Sequence, residues 1–135
     1  MAYWLIKSEP DTWSWEQQVK KGTEAWNGVR NHTAARNLKT MRKGDQAFFY
    51  HSGATKEIVG IVEVVREAYP DPSDKSGVFV MVDVKALKPV PKPVSLAAIK
   101  ADARFAKLDL VRQSRLSVGA VDDAAWKAIC KMGGL

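Results

Sequence analysis

A large flat aromatic, a turn glycine, two guanidinium groups and a helix start fall together in residues 26–38, Trp-Asn-Gly-Val-Arg-Asn-His-Thr-Ala-Ala-Arg-Asn-Leu. Those residue types suit a site that grips a flat, charged ligand. An indole stacks on a ring, while amides at a helix N-terminus and a guanidinium hold an anion. Trp26 is the residue of most interest, because it sits in a loop between two helical patterns where propensity gives a tryptophan no reason to be. Packing against the core explains Trp26 as well as ligand stacking does on this argument alone. Arg112, Gln113, Ser114 and Arg115 form a second polar cluster, which pattern alone reads as a solvated turn.

The supply of catalytic groups is thin. The two histidines are His32 and His51, and the pair His51–Ser52 invites a base and nucleophile reading. Adjacent strand residues point to opposite faces, so that pair is not expected within hydrogen-bond reach. His51 reads instead as a strand-end side chain that hydrogen-bonds at a pocket mouth, and His32 as a first-turn helix residue. Two histidines on separate elements and the single Cys130 give no metal-ligand spacing, and no glycine-rich phosphate loop occurs. Neither a metal nor a cofactor is expected.

The elements that must position these groups follow from pattern. Tyr3 to Ile6 reads as a strand stopped by Lys-Ser-Glu-Pro, and Ser14 with Gln17 matches a capping box opening a helix with Trp15 and Val19 inward. Asn31 is the N-cap of a second helix whose Ala34, Ala35, Leu38 and Met41 face the core, leaving Arg36, Lys39, Arg42 and Lys43 outward. Residues 46–51 and 58–65 read as strands, with Gly60 marking a bulge or a close backbone approach. The run Tyr-Pro-Asp-Pro-Ser-Asp-Lys-Ser-Gly reads as a long loop, residues 78–87 as a strand, and Pro89, Pro91 and Pro93 as a stiff extended connector. Ser95 caps a short helix, residues 110–118 read as loop then strand, and Asp122 caps a last helix carrying Trp126, Ile129 and Cys130 on one face. Trp4, Trp15 and Trp126 belong to patterned elements and are expected in the core. Together these predict one α+β domain over residues 1–135, built around a strongly curved sheet or small barrel.

Composition sets the outer limits. Of 135 residues, 46% are hydrophobic and 27% charged, which is globular and not disordered. Lys and Arg number 21 against 15 acids, a formal charge of +6 that favours a polyanionic partner without establishing one. The lone cysteine suits a reducing compartment, and no apolar run approaches transmembrane length, so a cytoplasmic protein without membrane contact is expected.

Five stretches resemble the EVE domain family, in the family's order and over nearly the whole chain. They are Tyr-Trp-Leu-Ile-Lys-Ser-Glu-Pro, the motif of residues 26–38, Gly-Asp-Gln-Ala-Phe-Phe-Tyr-His-Ser, Gly-Ile-Val-Glu-Val and Arg-Gln-Ser-Arg-Leu-Ser-Val. The resemblance implies a PUA-like small curved β-barrel with flanking short helices and a cavity for a nucleobase. It is similar to the YTH domain, whose aromatic cage reads N-methylated adenosine. By this resemblance Trp26, in the motif it shares with Val29, would wall the cavity, and Lys7 and Ser8 would lie at its base. Tyr50, His51 and Ser52 would offer an aromatic edge and hydrogen bonds, and Arg30, Asn31, Arg112 and Gln113 would contact phosphate or base edges. Where a YTH domain has further cage tryptophans this chain has Tyr69 and Pro70, which implies a looser pocket with Tyr69 or Pro70 stacking opposite Trp26.

The resulting expectation is a non-enzymatic nucleic-acid-binding module that accommodates a modified base, such as methylated or hydroxymethylated cytosine, in DNA or RNA. Two alternatives stand beside it. One is an enzyme of nucleotide or modified-base metabolism using His51 and Ser52 or a pocket acid. The other is a pocketless module whose basic helix face, with Arg36, Lys39 and Lys43, binds RNA by charge alone.

Overall fold

One six-stranded sheet runs through the computed structural model, which describes residues 1–135. In chain order the elements are β1 (Tyr3–Ser8), α1 (Trp15–Lys21), β2 (Thr23–Ala25), α2 (His32–Thr40), β3 (Gln46–His51), β4 (Glu57–Pro70) and β5 (Val80–Ser95). Then come α3 (Leu96–Lys100), a 3₁₀ turn (Ala103–Phe105), α4 (Asp109–Arg112), β6 (Val118–Val121) and α5 (Asp123–Met132). The strand order is β2-β5-β4-β3-β1-β6; β1 and β3 are parallel and every other pair is antiparallel.

Strand alternation divides the interior into two cores, one on each face of the sheet. Leu5, Phe48, Tyr50, Val90 and Val94 point toward α3, α4 and α5, where they meet Ile99, Leu110, Trp126 and Ile129. Trp4, Ile6, Ala47, Phe49, Val62 and Val82 point the other way, toward Ala34 and Leu38 of α2. The α2 face is as expected, with Ala34, Ala35, Leu38 and Met41 all buried. The caps also stand where the sequence places them: Ser14 and Gln17 form a reciprocal capping box, and Asn31, Ser95 and Asp122 accept from the amides of Ala34, Ala98 and Ala125.

The sheet is curved but not closed into a barrel, which corrects that part of the expectation. β2 and β6 lie at opposite edges and do not pair with each other, while register shifts along the β4–β5 hairpin coil the sheet without joining its ends. That hairpin is also longer than the sequence suggests. Tyr69 and Pro70 continue β4, paired with Met81 and Val80, and Pro89, Pro91 and Pro93 lie within β5 instead of forming a connector. The prolines are tolerated because β2 pairs only with residues 83–85 of β5, leaving the rest of that side without a strand partner. Two smaller corrections follow from short elements. Residues 109–112 make a one-turn helix where a loop was expected, and Val19 on two-turn α1 is exposed because Gln18, wholly buried, takes the inward position.

Gly60 is a close approach, as its position in a strand suggests. A methyl group there would lie 2.5 Å from the Trp15 indole, so the ring occupies the space a side chain would fill. Phe49 beside it meets both Trp15 and Trp26 edge-on, at centroid distances of 5.3 and 5.6 Å. No helix is long and apolar enough to cross a membrane.

Candidate functional site

A cavity of about 590 Å³ opens where the end of β1, the turn before α1, and the loop from β2 to α2 converge. Its size is in the range of small-ligand sites. Six of the residues expected at a site line it: Lys7, Ser8, Trp26, Val29, Arg30 and Asn31. They arrive from separate elements because β1 ends at Ser8 and the motif loop, pinned to β5 by Trp26 N–H donating to Val82 O at 2.7 Å, folds across that end.

Trp13 also lines the cavity, and sequence reasoning missed it. The available signal was the one that singled out Trp26: a tryptophan in a polar turn outside any periodic element. Its indole is fixed by Gln18, whose Oε1 accepts from Nε1 at 2.9 Å while its Nε2 donates to Gly22 O and Val84 O at 3.0 and 3.3 Å. Ser8 Oγ donates to the Trp13 carbonyl, so the cavity base and this wall are joined. Glu9, Glu24, Asn27 and Ser117 add polar groups to the lining.

Lys7 contributes an ammonium with spare donors. Its Nζ donates to Ser114 O at 2.8 Å and forms no ion pair, and burial holds its pKa below the ordinary lysine value. An ammonium carries three donors, so two remain after the Ser114 bond for a ligand carbonyl that reaches this edge of the cavity. Arg30 is less free than its sequence position suggests. Its guanidinium donates to Val29 O, Asp71 Oδ2 and Ser73 Oγ at 3.1, 3.2 and 2.9 Å and lies 5.5 Å from the Phe79 ring centroid.

The remaining expected residues do not line this cavity. Tyr50 is buried in the core on the α5 side, with the Lys7 ammonium 5.8 Å from its ring centroid. His51 Nε2 accepts from Trp15 N–H at 3.0 Å, and burial lowers its pKa, so it braces α1 as a neutral ring. Ser52 meets the cavity base only through its backbone, donating to Ser8 O at 2.9 Å. Tyr69 and Pro70 are not opposite Trp26, because β4 carries them onward as strand: Tyr69 Oη donates to Asp83 and its ring lies under the Arg66 guanidinium at 3.5 Å. Trp13 lines the cavity instead.

Arg112 and Gln113 lie in an adjoining depression of about 320 Å³, with Thr33, Ser114 and Arg115; Asn31 borders both hollows. Neither Arg112 nor Arg115 has an acidic partner. No three His, Cys, Asp or Glu side chains gather closely enough to hold a metal ion.

Comparison with known proteins gives consistent matches. The EVE domain model matches residues 2–132. Thymocyte nuclear protein 1 of Gallus gallus is 34% identical over 135 residues, covering 86% of this chain and 54% of that protein. The chain therefore spans about half the length of such relatives. A solved structure of Rpa0253 from Rhodopseudomonas palustris has a TM-score of 0.94 at 60% identity, covering 99% of this chain and 94% of that one. The human THYN1 protein, solved in complex with DNA containing 5-methylcytosine, has a TM-score of 0.92 at 27% identity, covering 100% of this chain and 99% of that one.

Proposed function

The chain belongs to the EVE domain family, and on that premise we propose that it is a non-enzymatic reader that holds one modified cytosine, extruded from DNA, between Trp13 and Trp26. The observation that carries this reading is the presence of two indoles lining one cavity, with Lys7 at the strand end that borders it, in a fold that human THYN1 also has while holding 5-methylcytosine DNA. Taking a base out of the stack costs a few kcal/mol, and stacking on an aromatic contributes about 1–3 kcal/mol per base. Lys7 Nζ would donate to the cytosine O2 carbonyl. Arg112 and Arg115 would face phosphates of the same strand, so affinity would fall with added salt. The His51–Ser52 form of the catalytic reading has no support, since His51 accepts from the Trp15 amide and neither histidine lines the cavity.

Fluorescence anisotropy tests the proposal, using single- and double-stranded DNA and RNA with cytosine, 5-methylcytosine or 5-hydroxymethylcytosine. Tighter binding of a modified DNA, reduced by Trp26→Ala, is the expected outcome. Equal, salt-sensitive binding of every oligonucleotide by both proteins would leave charge alone and overturn the reading.

A further inference from the structure

We propose that Asp71, which lies outside the cavity, is its positioning residue: the carboxylate fixes the loop that carries Trp26 and Arg30, and thereby sets how long a bound base stays. The inference rests on the base-reading function above.

The Asp71 side chain is wholly buried. Oδ2 accepts from Gly28 N–H at 2.8 Å and from Arg30 Nη1 at 3.2 Å, and Oδ1 accepts from Ser73 N–H and Oγ at 2.8 and 2.6 Å. Gly28 has φ +82°, a conformation open to glycine at little cost, so its amide needs a fixed partner to hold the turn after Trp26. Phe79, from the end of the same hairpin loop, lies against both the Arg30 guanidinium and the His32 ring.

Packing alone gives no reason for a carboxylate here. A buried charge is often no more stabilising than apolar residues filling the same volume, and what this carboxylate adds is four directed hydrogen bonds to Gly28, Arg30 and Ser73. Burial pushes the Asp71 carboxyl up, but the hydrogen bonds from Ser73, Gly28 and Arg30 outweigh it and bring the pKa to about 2. The group stays ionised at neutral pH and holds Gly28 and Arg30 together.

The test compares wild type, Asp71→Asn and the milder Ser73→Ala. Dissociation from a 5-methylcytosine duplex, amide exchange and thermal unfolding are measured on each. Asp71→Asn should speed dissociation by about tenfold with little change in association, and Ser73→Ala by less. Exchange of the Gly28 amide should quicken while amides of β1 and β3 keep wild-type protection. A merely structural role would instead quicken exchange throughout and leave dissociation from the folded protein unchanged. Wild-type dissociation in both variants would overturn the role of Asp71 while leaving the base-reading intact. Wild type that does not distinguish 5-methylcytosine from cytosine would overturn both.

Discussion

Trp126 does a different job from Trp13 and Trp26, which lie across the sheet from it. On the α5 side, Trp126 stacks with Tyr3 and Phe48 at centroid distances of 4.2 and 3.9 Å and is 5% exposed, so its surface is consumed by packing. On the α2 side, Trp26 meets Phe49 only edge-on and Trp13 is tethered by its ring nitrogen to Gln18, and both keep surface toward the cavity. Trp126 belongs to a periodic helix, whereas Trp13 and Trp26 hang from turns held by the buried polar side chains of Gln18 and Asp71. Stacking in a core satisfies an aromatic ring completely. Fixing it by its edge or its backbone leaves a rigid flat surface for something else.

The contrast breaks most visibly at Trp126. Trp126→Ala should lose about 3–5 kcal/mol in chemical denaturation, with wild-type affinity for modified DNA in the protein that remains folded. Unchanged stability would mean that the stack is not what holds α5 to the sheet. Gly60→Ala should fall between the two jobs, since its methyl would collide with the Trp15 ring 2.5 Å away, and Trp15 shares Phe49 with Trp26. A loss of about 1–3 kcal/mol in stability is expected, together with weaker binding. Trp13→Ala and Trp26→Ala should reverse the Trp126 result. Each should cost about 1–3 kcal/mol of affinity for a modified oligonucleotide in the anisotropy titration, with a smaller change in unfolding. If only Trp26→Ala weakened binding, Trp13 would be a support and not a wall.

This contrast also shows why some features are legible in sequence and others are not. Ala34, Ala35, Leu38 and Met41 repeat at helical spacing behind an Asn31 cap, and all are buried on the face that spacing predicts. Trp26 stood out because it breaks pattern, and Val29, Arg30 and Asn31 of its motif line one cavity with Lys7 and Ser8, which the family resemblance singled out at the end of β1. Trp13 broke pattern in the same way, but its partner Gln18 hides among polar helix residues, and only the fold reveals a wholly buried glutamine. Tyr69 failed as a wall because Pro70 and its neighbours read as loop, while long-range pairing with Val80 and Met81 keeps them in strand. Barrel closure failed for a related reason. Whether edge strands meet depends on register shifts along β4 and β5, which no local pattern records.

The smallest expected effect lies at Lys7, where stability and binding should respond to pH in opposite directions. Burial lowers the folded-state pKa of this lysine below its ordinary 10.5, so the unfolded chain holds the proton more tightly. Its charge therefore opposes folding below the folded pKa, and that penalty is relieved as pH rises from there toward 10.5. Over the same window a reader using the ammonium as a donor loses its hydrogen bond to the base. The difference between wild type and Lys7→Met isolates this group from other titrations. Relative to the variant, wild type should gain stability and lose modified-base affinity with rising pH, the affinity change being about two- to tenfold. Parallel pH profiles for binding in the two proteins would remove Lys7 from base contact and leave stacking as the main source of recognition.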